Sequence, residues 1–166
     1  MNAIEVIRTG LADFHTELRG DLVDLDPQLL FWQPNAEANH IGFLLWHVVR
    51  DEDSVVSWTS KQKEVWEEGD WAARLPIDGD SKRATLTGPE ASALRYDLST
   101  LLNYAEAVWA STQERLAAMV DDDLNRQAWP EWTVARHLVE GCLGHSWMHL
   151  GEIRYIRGLR GWRFRE

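Results

Sequence analysis

Cysteine is almost missing from this chain. Cys142 is the single one, which excludes an intrachain disulfide and any zinc site built on thiolates. Amid apolar neighbours it reads as a small buried hydrophobe rather than a nucleophile. Positive charge is also scarce: Lys and Arg total 17 against 27 Asp and Glu, a formal net charge of −10. Phosphate backbones are bound by clustered cations, so no nucleic-acid partner is expected. No apolar run approaches the roughly 18 residues of a membrane span, so no membrane partner is expected either. Residues Met1 to Arg8 carry an early acid and no apolar stretch of the kind a secretory leader needs; a cytoplasmic protein is the default expectation. Alternating strand patterns, internal repeats and low-complexity segments are absent as well.

What is present fits one domain over residues 1–166, with 45% apolar and 27% charged residues, long enough to bury a core. Four segments carry helical periodicity. In the first, Ile4, Ile7, Leu11, Phe14, Leu18, Leu22 and Leu25 recur at spacings of three and four until Pro27. The second reads from Asn39 as N-cap, with Ile41, Leu44, Leu45, Val48, Val55 and Trp58 on one side. The third opens on a capping box at Thr87 to Glu90 and continues through Leu94, Leu98, Leu101, Ala105, Val108, Leu116 and Met119. The fourth starts at Thr133, after Pro130, and carries Val134, Leu138, Cys142, Ile153, Ile156 and Leu159, with Gly158 and Gly161 where it should end. About thirty residues, Ser60 to Gly88, join the second and third segments. Lys61 to Ala73 could form a short helix there, and the stretch with Pro76, Gly79, Asp80 and Ser81 reads as loop. So long a connection permits a crossover that leaves the second and third helices parallel. The expected fold is an all-α four-helix bundle. Arg154, Arg157, Arg160, Arg163 and Arg165 read as cationic dressing of the last helix's C-terminus.

The chemistry sits on the fourth segment. His145 and His149 are spaced i, i+4, which puts their Cβ atoms about 5–6 Å apart and their directions about 40° apart. On a regular wheel Val134, Leu138, Cys142 and Ile156 fall on the same side, so both imidazoles should face the bundle interior. Two adjacent buried imidazoles need partners, and a divalent metal ion is one that neutral imidazole suits. Core histidines bonded to backbone or water are the alternative. A third ligand is best sought at His47, midway along the second helix and bordering its apolar side. His15, His40 and His137 read as structural or exposed. No H-E-x-x-H is present, since Ser146, Trp147 and Met148 separate the pair, and the paired Glu-x-x-His motifs of a di-iron bundle are missing too.

The stretch from Asn39 to His47, Asn-His-Ile-Gly-Phe-Leu-Leu-Trp-His, resembles the second-helix motif of the DinB-like superfamily. Gly144 to Ile153 resembles its fourth-helix motif, and Trp66 to Ala72 is similar to segments in one branch. The resemblance covers almost the whole chain. It implies a four-helix bundle with a crossover, often a homodimer, and one divalent metal ion (zinc, nickel, iron or manganese) on three histidines that carry over to His47, His145 and His149. Characterised branches include thiol-dependent S-transferases and a maleylpyruvate isomerase that uses a low-molecular-weight thiol. The resemblance therefore implies a metal-dependent enzyme that activates a small thiol cosubstrate for transfer to an electrophilic small-molecule substrate. A metal-assisted hydrolase and a non-catalytic metal-binding module are the rival readings.

Near these histidines, Asp51 lies one turn after His47 and is the candidate catalytic proton acceptor, or the anchor of a ligand's second N–H. Glu152, three residues after His149, shares those options. Glu52 and Asp53 read as surface acids. Ten tryptophans are mostly core, Trp58 and Trp109 among them; Trp46 and Trp147 adjoin ligands, and some could line an apolar pocket over the metal.

Overall fold

The computed structural model describes residues 2–75, 77, 86, 88–129 and 131–163. The expected capping box at Thr87, the loop around Pro76, Gly79, Asp80 and Ser81, and also Pro130 and Arg165 lie outside the described residues.

The first helix, α1 (Ala3–Val23), begins on a reciprocal cap. Asn2 accepts the Glu5 N–H at 2.9 Å, and Glu5 accepts the Asn2 N–H at 2.9 Å, so two otherwise unmet donors are satisfied. Its apolar stripe is buried as spaced, and the helix ends four residues before Pro27. Helix α2 (Ile41–Ser60) is capped by His40 and not by Asn39. The His40 Nδ1 accepts the Phe43 N–H at 2.9 Å, a service an imidazole can render when its neighbour's backbone reaches it first. The connection then holds two short helices, α3 (Val65–Glu68) and α4 (Trp71–Arg74), in place of one.

The third periodic segment is two helices, α5 (Gly88–Ala93) and α6 (Leu98–Ala117). Apolar spacing runs through the break, but Asp97 offers the chain a better bargain as a cap. Its carboxylate accepts the Thr100 N–H at 2.9 Å and both the Ser99 and Thr100 hydroxyls, which is how short polar side chains outcompete helix continuation. A 3₁₀ turn (Asp121–Asn125) and a small antiparallel hairpin, β1 (Gln127–Trp129) with β2 (Trp132–Thr133), follow. Two- and three-residue strands are too short for alternation to reveal them. The last helix starts on the expected Thr133 cap, which accepts the Arg136 N–H at 3.3 Å. It runs as α7 (Val134–Arg136), a π-helical stretch (His137–Gly144) and α8 (His145–Leu159). Gly161, at φ 89°, takes the left-handed turn after it.

Pairings between helices fix their directions. Gly42, Asp53 and Ser57 of α2 meet Tyr96, Tyr104 and Arg115 in rising order, so α2 and α6 run parallel, as the long crossover permits. Phe14 and Glu17 of α1 and its C-cap Asp24 meet Trp147, Arg154 and Arg157 in rising order, so α1 and α8 are parallel too. Across these pairs the order reverses: Arg8 and Arg19 meet Gln113 and Glu106. Helices α1 and α2 each pack against both α6 and α8, giving a four-helix bundle with α1 diagonal to α2. Ile4, Ile7, Leu11, Val56, Leu116, Val134, Leu138 and Cys142 form one core cluster, and a larger one fills the other end. Each such buried aliphatic side chain contributes about 1.5–3 kcal/mol.

Arginines of the last helix are structural ties rather than end dressing. Arg154 binds Glu17 and Asp21, each at 2.5 Å. Arg157, buried, donates to the Asp21 carbonyl and to Asp24 and lies 4.2 Å from the Trp162 ring centroid.

Candidate metal centre

Helix α2 carries His47 on the side facing α8, and the first two turns of α8 carry His145 and His149. The His145 Nε2 lies 3.1 Å from the His47 Nε2 and 3.0 Å from the His149 Nε2. All three candidate ligand atoms fall within 4.8 Å of one another, and the rings cross steeply, at 75°, 84° and 89°. Each nitrogen offers one proton or one lone pair. A single proton can join His145 to one neighbour, and the other contact is then left unmet. A divalent ion resolves this: four-coordinate metal–nitrogen bonds of about 2.0–2.1 Å place ligand nitrogens about 3.3 Å apart. Two of the three nitrogen separations come close to that spacing and the third lies within 4.8 Å, so the three side chains can hold a metal ion.

Behind the convergent nitrogens stand carboxylates. The His149 Nδ1 donates to Glu152 at 2.7 Å, which fixes the tautomer and turns the Nε2 lone pair inward. The His145 Nδ1 lies 3.2 Å from Asp51; the distance is that of an ion pair, but its direction is too oblique for a hydrogen bond. His47 stacks on Phe43, with ring centroids 5.5 Å apart and planes at 17°.

The π-helical stretch delivers His145 to this place. Gly144 permits it, because a Cβ there would lie 3.1 Å from the Val139 carbonyl oxygen. Across 137–144 the regular wheel does not hold, although Val134, Leu138 and Cys142 are buried as their spacing predicts. The 40° step from His145 to His149 lies inside regular helix. The pair does not point deep into the core, however. His149 is buried, while His145 and His47 are half-buried, so the centre opens toward the surface. Neither glycine spacing nor apolar periodicity announces a π-helix, and such stretches recur at functional sites.

A model of the DinB superfamily matches residues 12–153. The chain belongs to the DinB superfamily. No curated protein matches it. Among solved structures, a conserved protein from Enterococcus faecalis superposes with a TM-score of 0.83 at 20% identity, covering 95% of this chain and 96% of that one. That likeness bears on the fold and agrees with the all-α DinB-like architecture.

Three histidines of this DinB protein lie outside the cluster, as spacing indicated, but none is simply exposed. His15 is buried, with Nε2 3.0 and 2.9 Å from the two Glu52 oxygens, and stacks on Trp109 at 4.8 Å. His40 is fully buried and so is one of the structural histidines, not an exposed one. His137 sits half-buried between Trp58 and Trp132; burial lowers its pKa, and Arg136 adds to that.

Two acids thought to be on the surface are buried. Glu52 also accepts the Thr112 hydroxyl at 2.6 Å, which ties α2 to α6 as well as to α1. Asp53 accepts the Val65 and Trp66 N–H groups at 2.8 and 2.9 Å, the Tyr104 hydroxyl at 2.6 Å and Arg50 at 3.3 Å. Cys142 is buried, and that burial pushes its thiol pKa well up, with Glu52 and Asp51 pushing it further. Trp46 and Trp109 are core, Trp147 meets Phe14 edge-on, and Trp58, exposed, lines a separate cavity beside Asp51.

Proposed function

We propose that this protein is a metal-dependent enzyme that activates a small thiol for transfer to an electrophile, with His47, His145 and His149 as the metal ligands. The observation that carries the proposal is the convergence of three Nε2 atoms at a half-exposed rim. Three protein ligands leave a position for an exogenous molecule, as in catalytic rather than structural sites. A divalent ion held there lowers the pKa of a coordinating thiol or water into the neutral range. The chain cannot supply the thiol, since its one cysteine is buried and its pKa raised, so a low-molecular-weight thiol cosubstrate is required. Glu152 holds the His149 ring with its Nε2 inward. Asp51 lies on the Nδ1 side of His145, away from the convergent nitrogens. Its role is therefore to position that ring, and not to take a proton from substrate directly.

The test measures conjugation of glutathione, cysteine and mercaptoethanol with a chromogenic electrophile, using metal-loaded protein, chelator-treated protein and a His145→Ala, His149→Ala double variant. Zinc, nickel, iron and manganese are compared for loading. Metal-dependent conjugation that the double variant loses is the expected result. Metal-dependent ester hydrolysis without conjugation would replace the proposal by a hydrolase, and full metal content in the double variant would remove the ligand assignment.

A further inference from the structure

The three imidazoles of the metal centre are approached by different groups. Glu152 accepts the His149 Nδ1–H at 2.7 Å, and Asp51 stands 3.2 Å from the His145 Nδ1. One turn before His47, on its own helix, stands an aromatic ring. Phe43 and His47 lie nearly parallel, their planes at 17° and their centroids 5.5 Å apart, the offset arrangement that aromatic pairs favour. The i, i+4 spacing brings two such rings within reach but does not by itself make them parallel. Phe43 lies outside the apolar stripe of Ile41, Leu44, Leu45 and Val48, yet it is buried.

The backbone beneath that ring is held at three points. The Gly42 N–H donates to the Leu30 carbonyl at 2.7 Å, the Tyr96 hydroxyl donates to the Gly42 carbonyl at 2.6 Å, and the Phe43 N–H donates to the His40 Nδ1 at 2.9 Å. Phe31 presses so closely that a Cβ on Gly42 would lie 2.5 Å from its ring, and it meets His40 and Tyr96 edge-on, each at 5.3 Å. Phe43 is therefore a fixed face. His47 is half-buried, and rotation of an imidazole about its Cβ–Cγ bond is soft. The lone pair of an imidazole nitrogen lies in the ring plane, so tilting the plane turns the lone pair away from its target.

We infer that Phe43 is a positioning residue of the metal centre: it fixes the plane of the His47 ring, so that the His47 Nε2 stays aimed at the point where the His145 and His149 nitrogens converge. This rests on the proposed assignment of His47 as a metal ligand.

Zinc affinity is measured by competition with a chromophoric chelator, and cobalt(II) serves as a spectroscopic probe of ligand geometry. Phe43→Met keeps an apolar side chain but removes the ring, whereas Phe43→Tyr keeps the ring. The methionine variant should bind zinc about two- to tenfold more weakly, the usual cost of ordering a freed side chain on binding, and its cobalt d–d bands should broaden. The tyrosine variant should restore both readouts. Leu116→Val, in the core cluster that does not contain Phe43, lowers the melting temperature of the metal-free protein and should leave affinity and spectrum as in the wild type. Wild-type affinity and spectrum in Phe43→Met would overturn the inference. So would an equal loss in Leu116→Val, or a tyrosine variant that melts like the wild type when metal-free yet binds as weakly as the methionine one. His47→Ala separates the two levels. If it keeps full zinc affinity, the ligand assignment falls and the role of Phe43 with it; if it loses zinc while Phe43→Met does not, only the role of Phe43 falls.

Discussion

An imidazole is only as good a ligand as the group behind it allows, and the two α8 histidines differ in that respect. Glu152 meets the His149 Nδ1 at 2.7 Å, whereas Asp51 meets the His145 Nδ1 obliquely at 3.2 Å. A carboxylate that accepts the second N–H fixes ring orientation, and its loss typically costs about 10–100-fold in metal affinity. Glu152→Gln should therefore weaken metal binding by about that factor, and Asp51→Asn by less, measured by competition with a chromophoric chelator. The reverse order would mean that the ring of His145, not His149, is the one under restraint. At this scale the sequence displayed the clustered histidines and hid much of what surrounds them. The i, i+4 spacing is a local signal, so His145 and His149 could be paired on paper. Glu52 and Asp53 looked like solvated acids because their partners, His15, Thr112, Val65 and Tyr104, come from distant parts of the chain.

Helix ends and connections show how polar side chains set the frame of the site. His40 caps α2 through Nδ1, and burial lowers its pKa below the ordinary 6.5, against a weaker opposing pull from the Ala91 backbone. A base whose folded-state pKa is depressed takes up protons more readily unfolded. Its contribution to stability is thus present above about pH 6.5 and lost as pH falls through and below that value. Protonation would also replace the acceptor with a donor facing the Phe43 N–H. His40→Asn keeps a cap acceptor that does not titrate, so the variant's melting temperature should fall less between pH 7 and pH 5 than the wild type's. Parallel pH profiles would rule His40 out. Asp53 does for α3 what His40 does for α2, and holds Arg50 besides. Asp53→Ala should cost about 3–5 kcal/mol in urea unfolding, the usual penalty for stranding a buried charge; a loss under 1 kcal/mol would show Glu64 and Tyr104 to be sufficient partners for Arg50. Periodicity located all four long helices but not the break before α6 or the π-helical stretch. Both are decided by hydrogen-bonding choices that leave the apolar pattern untouched.

At the scale of the molecule, the question is whether the metal centre holds the bundle together or merely sits on it. Apolar side chains from all four long helices fill the two core clusters, and α1, α2, α6 and α8 are joined by buried polar contacts away from the centre, such as His15 with Glu52, Thr112 with Glu52 and Arg157 with Asp21. Those contacts remain when the ion is removed, so the chain should stay folded without it. An ion held by the three histidines would nevertheless link α2 to α8 and, binding the folded state alone, would add about 4 kcal/mol at a thousandfold excess over Kd. For a domain of this size that corresponds to about 8–16 °C in melting temperature. Chelation should therefore lower Tm by roughly that amount, leave helical circular dichroism at room temperature intact, and lose its effect in acid, because only neutral imidazole binds the ion. A chelator that removes the metal without moving Tm would place equal affinity in the unfolded chain. One that abolishes the helical signal at room temperature would show instead that repulsion within a chain of net charge −10 outweighs the apolar core unless a dication offsets it.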